Sequence, residues 1–145
     1  MTTIKRNPMG RVTVEFEVSN YADVKMVEGG HLTSDKIRKI KLAGIVETGA
    51  ARLVLPEAVG KQLGLPVSGQ ALVRFADQRT AQRDVANDAY VQLMGRSGVF
   101  HAILEPTRTD ALLGAIVMED LDLIVDCGAQ KLQPRDPHAL VTEIG

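Results

Sequence analysis

Glu47-Thr48-Gly49 places one acidic side chain between two apolar segments, with Ile40-Lys41-Leu42-Ala43-Gly44-Ile45-Val46 before it and Ala50-Ala51-Arg52-Leu53-Val54-Leu55-Pro56 after it. An ionisable group carried into an apolar setting without a partner either pays a large desolvation cost or shifts its pKa and neutralises, so such a carboxylate is a candidate active-site group. The alternative is a Glu at a strand end that faces water. Other reactive side chains are sparse. Cys127 is the single cysteine, which excludes an intrachain disulfide and agrees with a reducing compartment. With no His near it in sequence, it reads as a small packed or half-exposed residue. His31, His101 and His138 lack the mutual spacing of a zinc site, so neither a metal nor another cofactor is expected.

The elements around this triplet read as mostly strand. Arg11-Val12-Thr13-Val14-Glu15-Phe16-Glu17-Val18 alternates strictly, which predicts a half-buried strand. Residues 20–34 have no period and contain Gly29-Gly30, which predicts a long hairpin connection with its tip near 28–31. Residues 36–46 return as a second strand, charged at first and apolar toward Glu47. Glu57-Ala58-Val59-Gly60-Lys61-Gln62-Leu63 is helix-like. Leu72-Val73-Arg74-Phe75 and residues 83–91 bracket Ala76-Asp77-Gln78-Arg79-Thr80, a predicted hairpin tip. Residues 90–94 and 99–104 read as two further strands joined through Gly95-Arg96-Ser97-Gly98. Leu112-Leu113-Gly114 precedes a short helix over 115–121, and Leu123-Ile124-Val125-Asp126 opens a last hairpin that turns at Cys127-Gly128-Ala129. Many short strands and few short helices predict a closed, mostly β domain.

Composition narrows the function classes. The chain has 145 residues, 45% of them hydrophobic, enough for one domain with a real core. Aromatic residues are 3% with no Trp, which argues against a stacking platform for single-stranded nucleic acid. A formal net charge of −1 offers no global attraction to nucleic acid or to a membrane surface. No stretch approaches membrane-spanning length, and a soluble cytoplasmic protein is expected. The organisation expected is an N-terminal extension over 1–10, a domain over 11–134 and a C-terminal tail over 135–145.

Val46-Glu47-Thr48-Gly49-Ala50, the strand Leu53-Val54-Leu55-Pro56, the helix-like segment after it and the distant Leu112-Leu113-Gly114 together resemble a retropepsin-like aspartic protease. The resemblance covers residues 11–134. It implies a closed acid-protease barrel in which Glu47, Thr48 and Gly49 occupy the catalytic triplet, with Leu112, Leu113 and Gly114 packed beneath it. It also implies that the 76–80 hairpin is a flap, and that Ala50, Ala76, Asp77, Gln78, Arg79 and Thr80 contact an extended peptide or protein substrate. One chain supplies one such loop, so a symmetric homodimer is implied. There two carboxyls would share one proton and activate water, Thr48 would hydrogen-bond across the axis, and Gly49 would allow close backbone approach.

The departure from the family pattern falls on the catalytic position, where Asp is expected and Glu47 stands. The extra C–C bond lengthens the side chain by roughly 1.5 Å, and a misplacement of about 1 Å costs on the order of 10²-fold in rate. Two readings stay open: a weak or specialised endopeptidase, or a non-catalytic peptide-binding or structural relative. Residues 49–73 are also similar to the swapped-hairpin DNA-binding domain of bacterial transition-state regulators, through a strand, Pro56, a short helix ending in Leu63-Gly64-Leu65, Gly69 and another strand. The few charges between Gly49 and Arg79 are thin for phosphate neutralisation. A second Asp-x-Gly occurs at Asp126-Cys127-Gly128, where the sequence echoes residues 45–50. It reads as turn chemistry, because a two-lobed enzyme needs about twice this length.

Overall fold

The computed structural model describes residues 11–145. The expected extension over 1–10 lies outside the described residues. Nine strands and three α-helices follow the order β1 (Arg11–Asn20), α1 (Tyr21–Glu28), β2 (Lys39–Glu47), β3 (Leu53–Pro56), α2 (Glu57–Gln62), β4 (Val67–Arg74), β5 (Thr80–Leu93), β6 (Arg96–Glu105), β7 (Ala111–Leu113), α3 (Ala115–Leu121), β8 (Leu123–Asp126) and β9 (Lys131–Pro134) among the described residues. The main sheet runs β1-β2-β7-β3-β6-β5-β4, and a further β1–β5 pairing closes it into a barrel with β4 outside.

The alternation of β1 explains how it closes the barrel. Val12, Phe16 and Val18 point into the core while Thr13 and Glu15 are exposed. The strand pairs antiparallel with β2, Val12 opposite Val46 and Phe16 opposite Leu42, and its far end pairs with β5, Val18 opposite Val91. The buried set is almost entirely Val, Leu and Ala, with Phe16 and Phe100 as the aromatic members. Each fully buried Leu or Val contributes about 1.5–3 kcal/mol relative to exposure.

Two expectations are corrected. The connection between β1 and β2 contains the helix α1 rather than an irregular loop. Asn20 caps it, with Oδ1 accepting from Asp23 N at 3.2 Å and Nδ2 donating to Leu63 O at 2.9 Å. The single buried residue of α1 is Asp23, which Arg38 grips through Nε and Nη2, both at 2.9 Å, and through its backbone N at 3.0 Å. A helix fixed by polar anchors leaves no hydrophobic period to read. Similarly, the strands expected over 83–91 and 90–94 are one strand, β5, with a register shift between Ala86 and Ala89 where Asp88 takes φ 66°. Asn87-Asp88 looks like a turn in sequence and is a bulge within a strand.

Residues 135–145 form no helix or strand, yet part of this tail is held down. Arg96 donates to the carbonyls of Leu121, Asp122, Asp136 and Ala139 at 2.6–3.0 Å. Asp122 accepts from Arg135 Nε at 2.6 Å and from Val141 N at 2.9 Å. The backbone hydrogen bond from Val141 and the Arg135 guanidinium hold the Asp122 carboxyl below its ordinary pKa.

Candidate functional site

Glu47 ends β2, and the chain turns there: Ala50 N donates to Glu47 O at 3.0 Å, and Gly49 N donates to Glu47 Oε1 at 3.3 Å. Thr48 and Gly49 are exposed. The turn is shaped from below by a strand that arrives from far along the chain. β7 inserts between β2 and β3, parallel to β2 with Ile45 opposite Leu112 and Val46 opposite Leu113, and antiparallel to β3 with Val54 opposite Leu112.

Gly114 then passes beneath the turn, and α3 begins. Ala115 N donates to Ala50 O and Ile116 N to Ala51 O, both at 2.9 Å. These are helix-terminal N–H groups with no partner inside the helix, and the loop carbonyls satisfy them. A Cβ at position 114 would lie 2.5 Å from Arg52 O, 2.7 Å from Arg52 N and 2.8 Å from Ala50 O. Only glycine lets two backbones cross so closely. The structure therefore brings Glu47, Thr48, Gly49 and Ala50 together with Leu112, Leu113 and Gly114, across more than sixty positions of sequence.

A cleft of about 440 Å³ opens beside this turn. Gly49, Ala50 and Arg52 line it on the loop side, and Leu72, Arg74 and Phe75 on the side of the β4–β5 hairpin. Leu112 lies in its wall, and Glu105 and Arg108 border it. Glu47 and Thr48 precede the lining residues.

The β4–β5 hairpin is present as expected, and residues 76–80 form its tip and the start of β5. Phe75 N donates to Arg79 O at 2.8 Å, and Gln78 N to Phe75 O at 2.9 Å, with Gln78 at φ 72°. Asp77 and Arg79 pair at 2.6 Å, and the guanidinium holds Asp77 below its ordinary pKa. Ala76, Asp77 and Gln78 are exposed and lie outside the lining of this cleft, while Arg79 and Thr80 line a neighbouring depression together with Phe75 and Arg83. The hairpin residues that wall this cleft are 71–75, which carry no distinguishing local pattern. Phe75 itself lies beneath two guanidinium groups, Arg79 at 5.2 Å and Arg83 at 5.7 Å from the ring centre.

Three further readings meet the structure. Asp126-Cys127-Gly128 is the β8–β9 turn, in which Asp126 Oδ1 accepts from Ala129 N at 3.1 Å, and Cys127 is exposed. The segment likened to a swapped-hairpin regulator contains β3, which is paired on both sides inside the barrel. It is not a separate module. Among the described residues no group of three or more His, Cys, Asp and Glu side chains is gathered as a metal site, and no helix is long and apolar enough to cross a membrane. His101 Nδ1 lies 2.6 Å from Asn87 Oδ1.

This architecture is that of the retropepsin-like acid proteases. The chain is similar to the retroviral protease-like domain of Ddi1 from Leishmania major, with 13% identity, a TM-score of 0.52, and coverage of 90% of this chain and 91% of that one. It is also similar to the simian foamy virus (mac) protease, at 20% identity over 54% of this chain and 80% of that one, TM-score 0.43. A retropepsin-like aspartic protease from Rickettsia conorii matches at 12% identity over 84% and 90%, TM-score 0.41. The Leishmania domain carries the assignment of the fold. No protein-family model matches the sequence, and no curated protein sequence does.

Proposed function

We propose that this chain is the protomer of a homodimeric aspartic-type endopeptidase, in which the Glu47-Thr48-Gly49 loops of two copies meet at a two-fold axis and hold an extended peptide under the β4–β5 hairpins. The observation that carries the reading is the crossing at Gly114, where Ala115 and Ile116 fix the Ala50 and Ala51 carbonyls beside the cleft. That crossing spends a buried glycine and two helix-terminal donors on the shape of one acidic turn.

In the dimer, two carboxyl groups too close for both to ionise would share a proton, one activating water while the other protonates the departing group. Thr48 would bridge the loops. The substrate main chain would pair with the hairpins as an added strand, side chains filling alternate pockets. The single cysteine suits a reducing compartment such as the cytoplasm.

Glu47 sets the expected activity. With roughly 1.5 Å added on each side of the axis, catalysis should fall by on the order of 10²-fold against a well-placed pair. The contact of Glu47 Oε1 with Gly49 N favours a second reading, a peptide binder whose carboxylates are folded back on their own loops.

Cleavage of a mixed peptide library between about pH 4 and 7, the range in which a shared-proton pair holds one charge, separates the two. Glu47→Asp should cleave at least about 10²-fold faster than Glu47→Ala, with the natural chain between them. A folded, dimeric Glu47→Asp no faster than Glu47→Ala would leave the binder as the reading.

A further inference from the structure

The chain as a whole balances 17 Lys and Arg against 18 Asp and Glu, and the cleft departs from that balance. Its walls contribute Arg52, Arg74 and Arg108 and a single carboxylate, Glu105. Glu105 is buried, and both of its oxygens accept from Arg83 Nε, at 3.1 and 3.0 Å. Arg108 is paired with Asp110 at 2.6 Å. Arg52 and Arg74 are different: both are exposed, and neither side chain has an ion pair or hydrogen bond among the described residues.

Their backbones are nevertheless fixed. Arg52 follows Ala51, whose carbonyl accepts from Ile116 N, and Arg74 closes the β4–β5 ladder opposite Thr80. One arginine thus lines the cleft from the loop side and the other from the hairpin side, with Leu112 and Phe75 lining the same cleft. Concave walls of low dielectric concentrate the field of uncompensated charges, and a guanidinium fork matches a carboxylate in geometry as well as charge.

We infer that Arg52 and Arg74 are specificity-determining residues that select peptides with an apolar centre flanked by Asp or Glu side chains. The inference rests on reading the cleft as a peptide site and adds the substrate class. In a two-fold dimer each arginine occurs twice, so acidic residues are favoured on both sides of the centre.

The test is fluorescence anisotropy on the full chain with three labelled peptides sharing one apolar centre: acidic flanks, their Asn/Gln analogues and Lys flanks. Acidic peptides should bind roughly fivefold tighter per engaged carboxylate than the amide analogues, and Lys peptides weakest. The preference should shrink between about 50 mM and about 500 mM salt as the charges are screened. Arg52→Gln and Arg74→Gln should each narrow the ratio of acidic to amide affinity, and Arg74→Lys, which keeps the charge, should restore part of it. Equal binding of acidic and amide peptides, or a ratio unmoved in both Gln variants, would overturn the inference while leaving the peptide-site reading standing. Failure of all three peptides to bind would overturn both. Binding with the acidic preference but without cleavage would support the inference and remove only the catalytic reading.

Discussion

Residues 45–50 and 124–129 are nearly the same sentence written twice, Ile-Val-Glu-Thr-Gly-Ala and Ile-Val-Asp-Cys-Gly-Ala, and the fold uses them in different ways. Each ends a strand in an acid and turns. At Asp126 the acid caps its own turn by accepting from Ala129 N, in a two-stranded sheet outside the barrel. At Glu47 the acid also accepts within its own turn, from Gly49 N at 3.3 Å, but there the backbone closes the turn, Ala50 N to Glu47 O, and Gly114 and the start of α3 grip it from below. The Glu47 turn borders a cleft that Gly49 and Ala50 line. Local sequence supplies an acidic turn in both places, and the distant chain crossing is what makes one of them a candidate site.

The largest expected effect compares the glycines of the two regions. Gly114→Ala would force a Cβ to 2.5–2.8 Å from backbone atoms of Arg52 and Ala50. Those atoms cannot rotate away, so the cost should be about 2–3 kcal/mol. Gly128→Ala would place its Cβ 3.5 Å from Asp126 Oδ1, an ordinary contact, and should change stability by less than about 0.5 kcal/mol. Urea denaturation of the two variants measures both, and equal losses would erase the distinction between the turns.

Acid should sharpen the same contrast. Asp122, immediately before β8, has a folded-state pKa below its ordinary value because it accepts from Val141 N and pairs with Arg135. A lowered folded pKa means that the ionised group stabilises the fold above its unfolded pKa of about 3.9, and that this contribution is lost as pH falls through the folded value. Asp23, held by Arg38, behaves in the same sense. Amide hydrogen exchange should therefore show Val141 losing protection as pH falls below about 4, while Ala115 and Ile116, whose acceptors are backbone carbonyls, stay protected. Simultaneous loss at all three amides would contradict it.

The smallest effect belongs to Asp126→Ala. It removes one exposed turn hydrogen bond and should cost under about 1 kcal/mol, with oligomeric state and peptide cleavage unchanged.

How much of this was legible depended on whether apolar period or polar contact built the element. β1 declared itself through Val12, Val14, Phe16 and Val18, and the Leu112-Leu113-Gly114 segment through its likeness to a known crossing. Helix α1 did not, because Asp23 is its buried residue. The Asn20 cap with an acid three positions on was the available signal. β5 reads as two strands in the sequence because Asn87-Asp88 makes a bulge with turn-like residues. Residues 71–75 line the cleft, and no local pattern marks them, since which stretch of a long hairpin faces the loop is set by the barrel and not by local sequence. Arg96 stands in a turn-like stretch, Gly95-Arg96-Ser97-Gly98. Its four carbonyl acceptors come from residues 121–139, which no local pattern reveals.

The most direct test of the account exploits the echo itself, because Thr48 and Cys127 hold equivalent places in the two turns. Cys127 is exposed and is the chain's single cysteine, so the natural protein is the control for a Thr48→Cys/Cys127→Ser variant. Under mild oxidation at micromolar concentration, the variant should form a disulfide-linked dimer whose yield follows the dimer fraction seen by sedimentation equilibrium, while the natural chain cross-links far less. A natural chain that is strictly monomeric by sedimentation equilibrium, or a dimeric variant that remains uncrosslinked, would contradict the claim that the Glu47 loops of two copies meet.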